Sequence, residues 1–161
     1  MNILATQFTL EQSALEFYLS GCSGNPHCKN CHNQESWDFD KGLKWDLNYK
    51  RNITDKISSF DFMVKKIMIF GGEPLDQDIE ELNDFLKYLT MFKKDIWLFT
   101  RYDIEQVPPL IKMKCKYIKC GRYIEELTVE DNIQYGVKLA TSNQKIYKRG
   151  VDYLNEVIIT L

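Results

Sequence analysis

The sequence predicts an α/β fold, a single compact domain over residues 1–161 with a partial parallel (β/α) barrel or a small open sheet. Short apolar segments alternate with segments of helical periodicity, which is the pattern of βαβ units. The chain has 161 residues, whereas a complete eight-unit barrel takes about 250. We therefore expect a few parallel strands whose carboxyl ends share one edge.

The first part of the chain predicts one buried strand and a loop. Residues 2–13 are polar with scattered apolar positions and are interpreted as an edge strand or a loop. The segment ALEFYL at 14–19 is short, apolar and aromatic, which favours a buried strand. Glycine and proline at positions 24 and 26 predict an irregular loop after it. Residues 37–51 show no period and are interpreted as irregular.

Two helices are predicted from apolar residues at helical spacing. The first covers about residues 54–64, where apolar residues recur at positions 53, 57 and 60. The second has apolar residues at positions 79, 82, 86 and 89, and Asp76 or Asp78 can cap its amino end. Residues 73–84 carry six carboxylates and no basic residue, a bias that favours a helix amino terminus.

Three more strands are predicted downstream. They are KIMIF at 66–70, DIWLF at 95–99 and the segment at 116–120. Glycines follow the first and the last of these, and a proline pair at 108–109 separates the last two. Residues 156–160 are interpreted as a final strand or a frayed tail.

Residues with chemical function follow each predicted parallel strand. Ligands of parallel sheets bind beyond the carboxyl ends of the strands. The first strand leads into a cysteine-rich loop at 20–33, and the others lead into residues 71–74, 100–102 and 120–123. The cysteines and a Gly-Gly-Glu-Pro segment are therefore expected at the same edge of the sheet.

Three of the five cysteines, Cys22, Cys28 and Cys31, lie within ten residues. An odd number of cysteines is unlike a secreted disulfide framework. Three thiolates in one loop can hold three irons of a cubane cluster and leave the fourth iron open to a small chelating ligand. A zinc site completed by His32 is an alternative, although adjacent ligands reach one ion awkwardly. A loop of free thiols is the third possibility.

The segment Gly71-Gly72-Glu73 suits the binding of an amino acid. A glycine pair allows a ligand to approach the backbone closely, and Glu73 can accept a hydrogen bond from an ammonium group. An amino acid that chelates iron through its amine and carboxylate would fit beside the cysteines. A Gly-Gly pair near a proline is also an ordinary turn signal, so a structural role is the alternative.

These motifs resemble those of the radical S-adenosylmethionine enzymes. The resemblance rests on three cysteines with gaps of five and two residues, from Cys22 to Cys31, and on the downstream GGEP. The short length, the Cys31-His32-Asn33 stretch, SNQ at 142–144 and YIKCGRYIEEL at 117–127 are similar to the anaerobic ribonucleoside-triphosphate reductase activating proteins. The gap of five residues is longer than is usual in that family, and Arg101 stands where the family usually has glycine.

The resemblance implies a partial barrel of the radical S-adenosylmethionine type with a 4Fe–4S cluster on Cys22, Cys28 and Cys31. It implies S-adenosylmethionine as the second cofactor. Its candidate contacts are Asn30, His32, Gly71, Gly72, Glu73, Thr100 and Lys119. The implied activity is formation of a 5′-deoxyadenosyl radical that installs a glycyl radical on the anaerobic reductase, with an electron from a flavodoxin-like donor. No catalytic side chain is implied beyond the cluster and the bound S-adenosylmethionine.

Other functions remain open at this point. The chain could activate a different glycyl-radical enzyme. It could also act on a small molecule, like the 7-carboxy-7-deazaguanine synthases, which carry GGEP but would need a substrate-shaped pocket. A non-enzymatic binding module with a Cys3His zinc site is the remaining alternative.

Composition excludes several broad classes. The 21 basic and 23 acidic residues give a formal net charge of −2, so direct nucleic-acid binding through bulk charge is not expected. No apolar run exceeds four residues, and the first basic residue is Lys29, so neither a membrane span nor a signal peptide is expected. We therefore expect a cytoplasmic protein. Cys115 and Cys120 are interpreted as small buried hydrophobic residues, with a redox pair as the alternative.

Overall fold

The computed structural model describes residues 1–154, and the segment at 156–160 lies outside the described residues. A seven-stranded sheet and a two-stranded hairpin are present in the described chain. The strands are β1 Asn2–Thr9, β2 Ala14–Leu19, β3 Leu43–Lys44, β4 Lys66–Gly71, β5 Asp95–Phe99, β6 Tyr117–Cys120, β7 Ile133–Gln134, β8 Val137–Lys138 and β9 Lys145–Lys148. The helices are α1 Leu47–Ser59, α2 Ile79–Thr90 and α3 Pro109–Lys112.

The centre of the sheet is parallel and its edges are antiparallel. The strand order is β3-β1-β2-β4-β5-β6-β9, and β2, β4, β5 and β6 pair in parallel. On either side of these four strands, β1 and β9 pair antiparallel with β2 and β6, and β3 pairs antiparallel with β1, so the predicted edge strand β1 lies one position inside the edge. The predicted α/β class is confirmed, and the sheet is mixed rather than wholly parallel. The register places Leu19 beside Gly71 and Phe99 beside Lys119, so the four parallel strands end close together.

Helix α1 begins earlier than its periodicity predicts. The side chain of Asp46 accepts a hydrogen bond from the backbone N–H of Tyr49, and this cap starts the helix at Leu47. The helix ends at Ser59, and hydrogen-bonded turns carry the chain from Phe60 to Val64. The irregular assignment for residues 37–51 is therefore wrong over β3 and the first turn of α1, because apolar spacing alone does not report a capping carboxylate.

Helix α2 is capped by Asp78, one of the two predicted capping residues. Its Oδ1 atom accepts hydrogen bonds from the backbone N–H groups of Glu80 and Glu81, each at 3.0 Å. Asp76 points elsewhere and contacts the cysteine loop instead. Two carboxylates that look equivalent in sequence thus have separate roles.

The two faces of the sheet differ in how they are covered. Because side chains alternate along a strand, Ile67 and Ile69 enter the main core on the helix side, whereas Met68 and Phe70 face the opposite side. The main core is formed with α1 and α2 and includes Cys115 and Cys120, which are buried free thiols as predicted. The opposite side carries a smaller cluster under the β7–β8 hairpin. Beyond this cluster the opposite face opens into cavities.

Within residues 1–154, no helix combines the length and apolarity needed to cross a membrane.

Candidate functional site

A cleft of about 240 Å³ lies at the carboxyl ends of the parallel strands. It is lined by eight of the residues singled out in the sequence. These are Cys22, Cys28, Cys31, Gly71, Gly72, Glu73, Thr100 and Lys119. The parallel register therefore brings together residues that are almost a hundred positions apart in the chain.

The cysteine loop leaves β2 and folds back on itself. The backbone N–H groups of Gly21 and Cys22 donate to the carbonyl oxygens of Ser36 and Trp37, at 2.7 and 3.0 Å. The N–H of Cys31 donates to the carbonyl of Cys28 at 3.2 Å, which makes a tight turn between these two thiols. All three thiols are partly exposed. Burial raises the pKa of Cys22, partly opposed by a backbone hydrogen bond from Gly24.

The glycine pair at the end of β4 is required by the protein backbone. A Cβ atom on Gly72 would lie 2.1 Å from the carbonyl oxygen of Gly21, and one on Gly71 would lie 2.2 Å from backbone atoms of Leu19. Gly71 also has a φ of +130°, which favours glycine. The close approach at this position is therefore made by the cysteine loop itself. The backbone of the pair still lines the cleft, and a contact with a ligand stays a prediction.

Glu73 joins the ends of β4 and β5. Its Oε1 atom accepts hydrogen bonds from the Thr100 hydroxyl at 2.6 Å and from the Leu75 N–H at 3.0 Å. Its Oε2 atom accepts from the Arg101 N–H at 2.8 Å. The residue is only 1% exposed, and burial raises the pKa of its carboxyl group although the hydrogen bonds oppose the shift. Three of the roughly four acceptor positions of the carboxylate are occupied, and Nε of Arg101 lies 3.8 Å from Oε2, so one position has no donor within hydrogen-bond distance.

Lys119 is the basic residue among the predicted contacts. Its ammonium group donates to the carbonyl oxygen of Gly121 at 2.8 Å. Burial lowers the pKa of Lys119 to about 8, and the negative charge of Glu73 partly opposes this shift. A lysine in this position can bind a carboxylate, although it carries its charge at a cost.

A second cavity of about 760 Å³ adjoins the cleft along the open face of the sheet. The two cavities share Phe70, Phe99, Lys119 and Gln144 as lining residues. The rings of Phe70 and Phe99 lie 4.2 Å apart and form an aromatic floor. Gln144 is the last residue of the SNQ stretch, and its side chain accepts a hydrogen bond from the backbone N–H of Ala140 at 3.1 Å. This bond stabilises the segment that lines the larger cavity at Ala140 and Gln144.

His32 and Asn30 lie away from the smaller cleft. His32 lines the larger cavity and its ring lies 5.5 Å from that of Tyr123 in an edge contact. Asn30 has a φ of +53°, and its amide donates to the Glu125 side chain. Of the residues predicted to contact S-adenosylmethionine, these two are the ones that the structure does not bring to the thiol cleft.

The predicted Cys3His zinc site is the alternative to a cluster on these thiols. Four zinc ligands must converge within about 2–2.3 Å of one point. Within residues 1–154, no group of three or more His, Cys, Asp or Glu side chains converges in this way. The three thiols line a common cleft, which is the placement that a cubane held by three cysteines requires.

Several residues of the site were not predicted from the sequence. They are Trp37, Phe70 and Phe99, together with the contact between Asp76 and Arg101. The position of Phe70 and Phe99 at the ends of predicted strands was a usable signal, since alternation places them on the open face. The contact of Asp76 with the loop had no signal in the sequence.

Thiols gathered at the carboxyl edge of a parallel sheet, around a cleft lined with glycines, are the arrangement expected of a protein that binds a metal centre through thiolates. Comparison with known proteins specifies the centre. The 4Fe-4S single cluster domain family matches residues 13–146, and the chain belongs to this family.

Curated relatives have a more specific name. A protein of Haemophilus influenzae named anaerobic ribonucleoside-triphosphate reductase-activating protein is 27% identical over 122 residues, covering 72% of this chain and 77% of the relative. A protein of the same name from enterobacteria phage T4 is 26% identical over 114 residues, covering 68% and 70%. A third, from Pasteurella multocida, is 26% identical over 100 residues, covering 60% and 62%. The resemblance based on the motifs is confirmed.

Proposed function

We propose that this chain activates an anaerobic ribonucleoside-triphosphate reductase by installing a glycyl radical on it. The observation that carries the proposal is the single cleft in which Cys22, Cys28 and Cys31 lie beside Gly71, Gly72 and Glu73. The names of the curated relatives and the 4Fe-4S family support the same activity.

We assign the 4Fe–4S cluster to Cys22, Cys28 and Cys31, because these thiols share the cleft and are partly exposed. S-adenosylmethionine would bind beside them, with its ammonium group near the remaining acceptor position of Glu73. Lys119, on the same cleft wall, would face its carboxylate. When bound, the cluster and S-adenosylmethionine would together supply the radical chemistry that removes a hydrogen atom from the target glycine.

The protein's own residues would bind and orient the cofactors and would exclude water from them. Glu73 and Thr100 hold the turns after β4 and β5 in a fixed relation through their 2.6 Å hydrogen bond. Phe70 and Phe99 present an apolar floor at the junction of the two cavities. Apolar side chains at this junction would exclude water from the bound cofactors. The radical chemistry itself belongs to the cofactors.

The larger cavity is the proposed entry for the glycine loop of the reductase. At about 760 Å³ it joins the thiol cleft and opens to solvent along the sheet face. A site with an open flank suits a protein substrate that completes it, better than a small molecule that needs enclosure.

We also propose that residues 1–161 form one radical S-adenosylmethionine domain, with β2, β4, β5 and β6 as part of a (β/α) barrel. A flavodoxin-like donor and a cytoplasmic location would supply electrons and keep the thiols reduced.

Electron paramagnetic resonance of the reductase tests this function. The chain is reconstituted with iron and sulfide without oxygen and mixed with reductant, S-adenosylmethionine and the cognate reductase. The expected result is a glycyl doublet that collapses to a narrower line when the glycine of the reductase is deuterated. A mixture without S-adenosylmethionine is the control. Turnover of a small heterocycle with a diamagnetic reductase would instead support the small-molecule alternative.

A further inference from the structure

The segment from Ser23 to His27, between the first two cysteines, is fastened to the protein by residues that are not thiols. The backbone N–H of Ser23 donates to Oδ2 of Asp76 at 2.7 Å. The imidazole of His27 stacks on Trp37 with ring centroids 3.9 Å apart and planes 10° from parallel. A guanidinium nitrogen of Arg122 donates to the carbonyl oxygen of Pro26. The longer cysteine gap is therefore an anchored loop.

Asp76 is the central residue of these anchors. Its side chain is only 3% exposed, and its two oxygens accept from three residues. Besides Ser23, these are the Tyr102 hydroxyl at 2.6 Å and Nη2 of Arg101 at 3.1 and 3.2 Å. Burial acts to raise the pKa of Asp76, but the hydrogen bonds from Tyr102, Ser23 and Arg101 together lower it below its usual value. The ionised carboxylate is thus the form that the site stabilises.

Arg101 is itself held in place by contacts with Glu73 and with the ring of Tyr102. Its backbone N–H donates to Oε2 of Glu73 at 2.8 Å, and its guanidinium group lies 4.3 Å from the centre of the Tyr102 ring. A continuous series of contacts therefore runs from the end of β5 through Arg101 and Asp76 to Ser23. Ser23 is the residue next to Cys22. The helix cap does not explain Asp76, because Asp78 performs that role for α2.

We propose that Asp76 is a positioning residue of the cluster loop. Supported by Arg101 and Tyr102, it holds the amide of Ser23 and thereby orients Cys22 toward the cleft before any cluster is bound. Ordering each residue of a loop costs backbone conformational entropy. A loop that is ordered during folding does not incur this cost again when the cluster assembles. The inference rests on the proposed function only in taking Cys22 as a cluster ligand.

Amide hydrogen exchange of the chain without cluster tests the proposal at Ser23. Residue-resolved NMR is used to compare the wild type with Asp76→Ala. We expect the Ser23 amide to exchange at least tenfold faster in Asp76→Ala, because its acceptor is gone. The matched control is Asp78→Ala, which removes the exposed helix cap two residues away and should leave Ser23 at the wild-type rate. An unchanged rate in Asp76→Ala, or an equal increase in Asp78→Ala, would overturn the proposal.

A second variant covers the case in which Asp76→Ala does not fold. Arg101→Met keeps the acceptor for Ser23 but removes its support, and we expect a threefold or greater increase in the Ser23 exchange rate. No increase in a folded Arg101→Met chain would contradict the proposed series of contacts.

Cluster assembly provides an independent measurement. After identical anaerobic reconstitution, Asp76→Ala should contain less iron per chain than Asp78→Ala, and the resonance of its reduced cluster should differ in shape from the wild type. Equal iron and an identical spectrum would show that the loop does not need Asp76. If the exchange rate of the Ser23 amide depends on Asp76 while the wild type fails to activate any reductase, the proposed function is wrong and the positioning role stands.

Discussion

The position that a Cβ atom of Gly72 would occupy lies 2.1 Å from the carbonyl oxygen of Gly21. The turn after β4 and the start of the cysteine loop are therefore in backbone contact, reinforced by the hydrogen bond from the Glu73 N–H to the same carbonyl at 2.7 Å. This contact places the glycine pair beside the thiols. It also shows that the pair is needed for the fold, whatever ligand the cleft accepts.

Replacement of Gly72 by alanine should destabilise the chain by about 3 kcal/mol or more, because a backbone atom of Gly21 cannot move aside as a flexible side chain can. Thermal unfolding of the chain without cluster measures the effect. Gly24→Ala is the matched control within the cysteine loop, since a Cβ there would meet its neighbours at 3.4 to 3.5 Å. Equal stability of the two variants would contradict the close contact.

Replacement of Cys22, Cys28 or Cys31 by alanine should abolish cluster binding. Iron should fall from about four per reconstituted chain to near zero, since a cubane held at two points lacks a stable ligand set. The controls are Cys115→Ala and Cys120→Ala, whose thiols are buried in the core on the other side of the sheet. Full iron in Cys28→Ala would mean that the cluster has other ligands.

Replacement of Glu73 by glutamine should lower the stability of the chain without cofactors by about 1–3 kcal/mol. The new amide group would direct a donor at the N–H of Arg101 or at the hydroxyl of Thr100, and these groups donate to Glu73 in the wild type. Urea unfolding checks the change, with the exposed Glu105→Gln as control. If Glu73→Gln is as stable as the control, the carboxylate is not required to join the two turns.

The stability of the chain should depend on pH through Lys119. Below its folded pKa of about 8 the ammonium is charged in both states, and the folded chain carries the full cost of burying it. As the pH rises from about 8 toward 10.5, the folded chain loses this proton first, so unfolding becomes less favourable. Relative to Lys119→Met, the wild type should therefore gain stability over this range, at most about 3 kcal/mol.

Chemical denaturation at a series of pH values measures this difference. Subtracting the Lys119→Met curve removes the contribution of tyrosines that titrate in the same range. Lys87→Met, at an exposed position on α2, is the control and should show no such trend. A difference that stays flat between pH 8 and 10.5 would show that Lys119 is not buried as a charged group.

The sequence by itself determined the succession of strands and helices along the chain in the parallel centre. It also determined that the site lies at the carboxyl edge of the sheet. Alternating apolar segments predicted β2, β4, β5 and β6 nearly to their bounds, and parallel strands must end on one side. The clustering of Cys22, Cys28 and Cys31 was equally local information. These features depend on residues close in sequence, so one amino-acid sequence is enough to predict them.

Tertiary structure alone decided which side chains support the site. Asp76 and Asp78 are equivalent in sequence, yet one holds Ser23 and the other caps α2. The early start of α1 depended on the cap at Asp46, and the contact between Gly72 and Gly21 depended on the pairing of β2 with β4. Such contacts join residues far apart along the chain. Their geometry follows from strand register and packing, which no local pattern of residues contains.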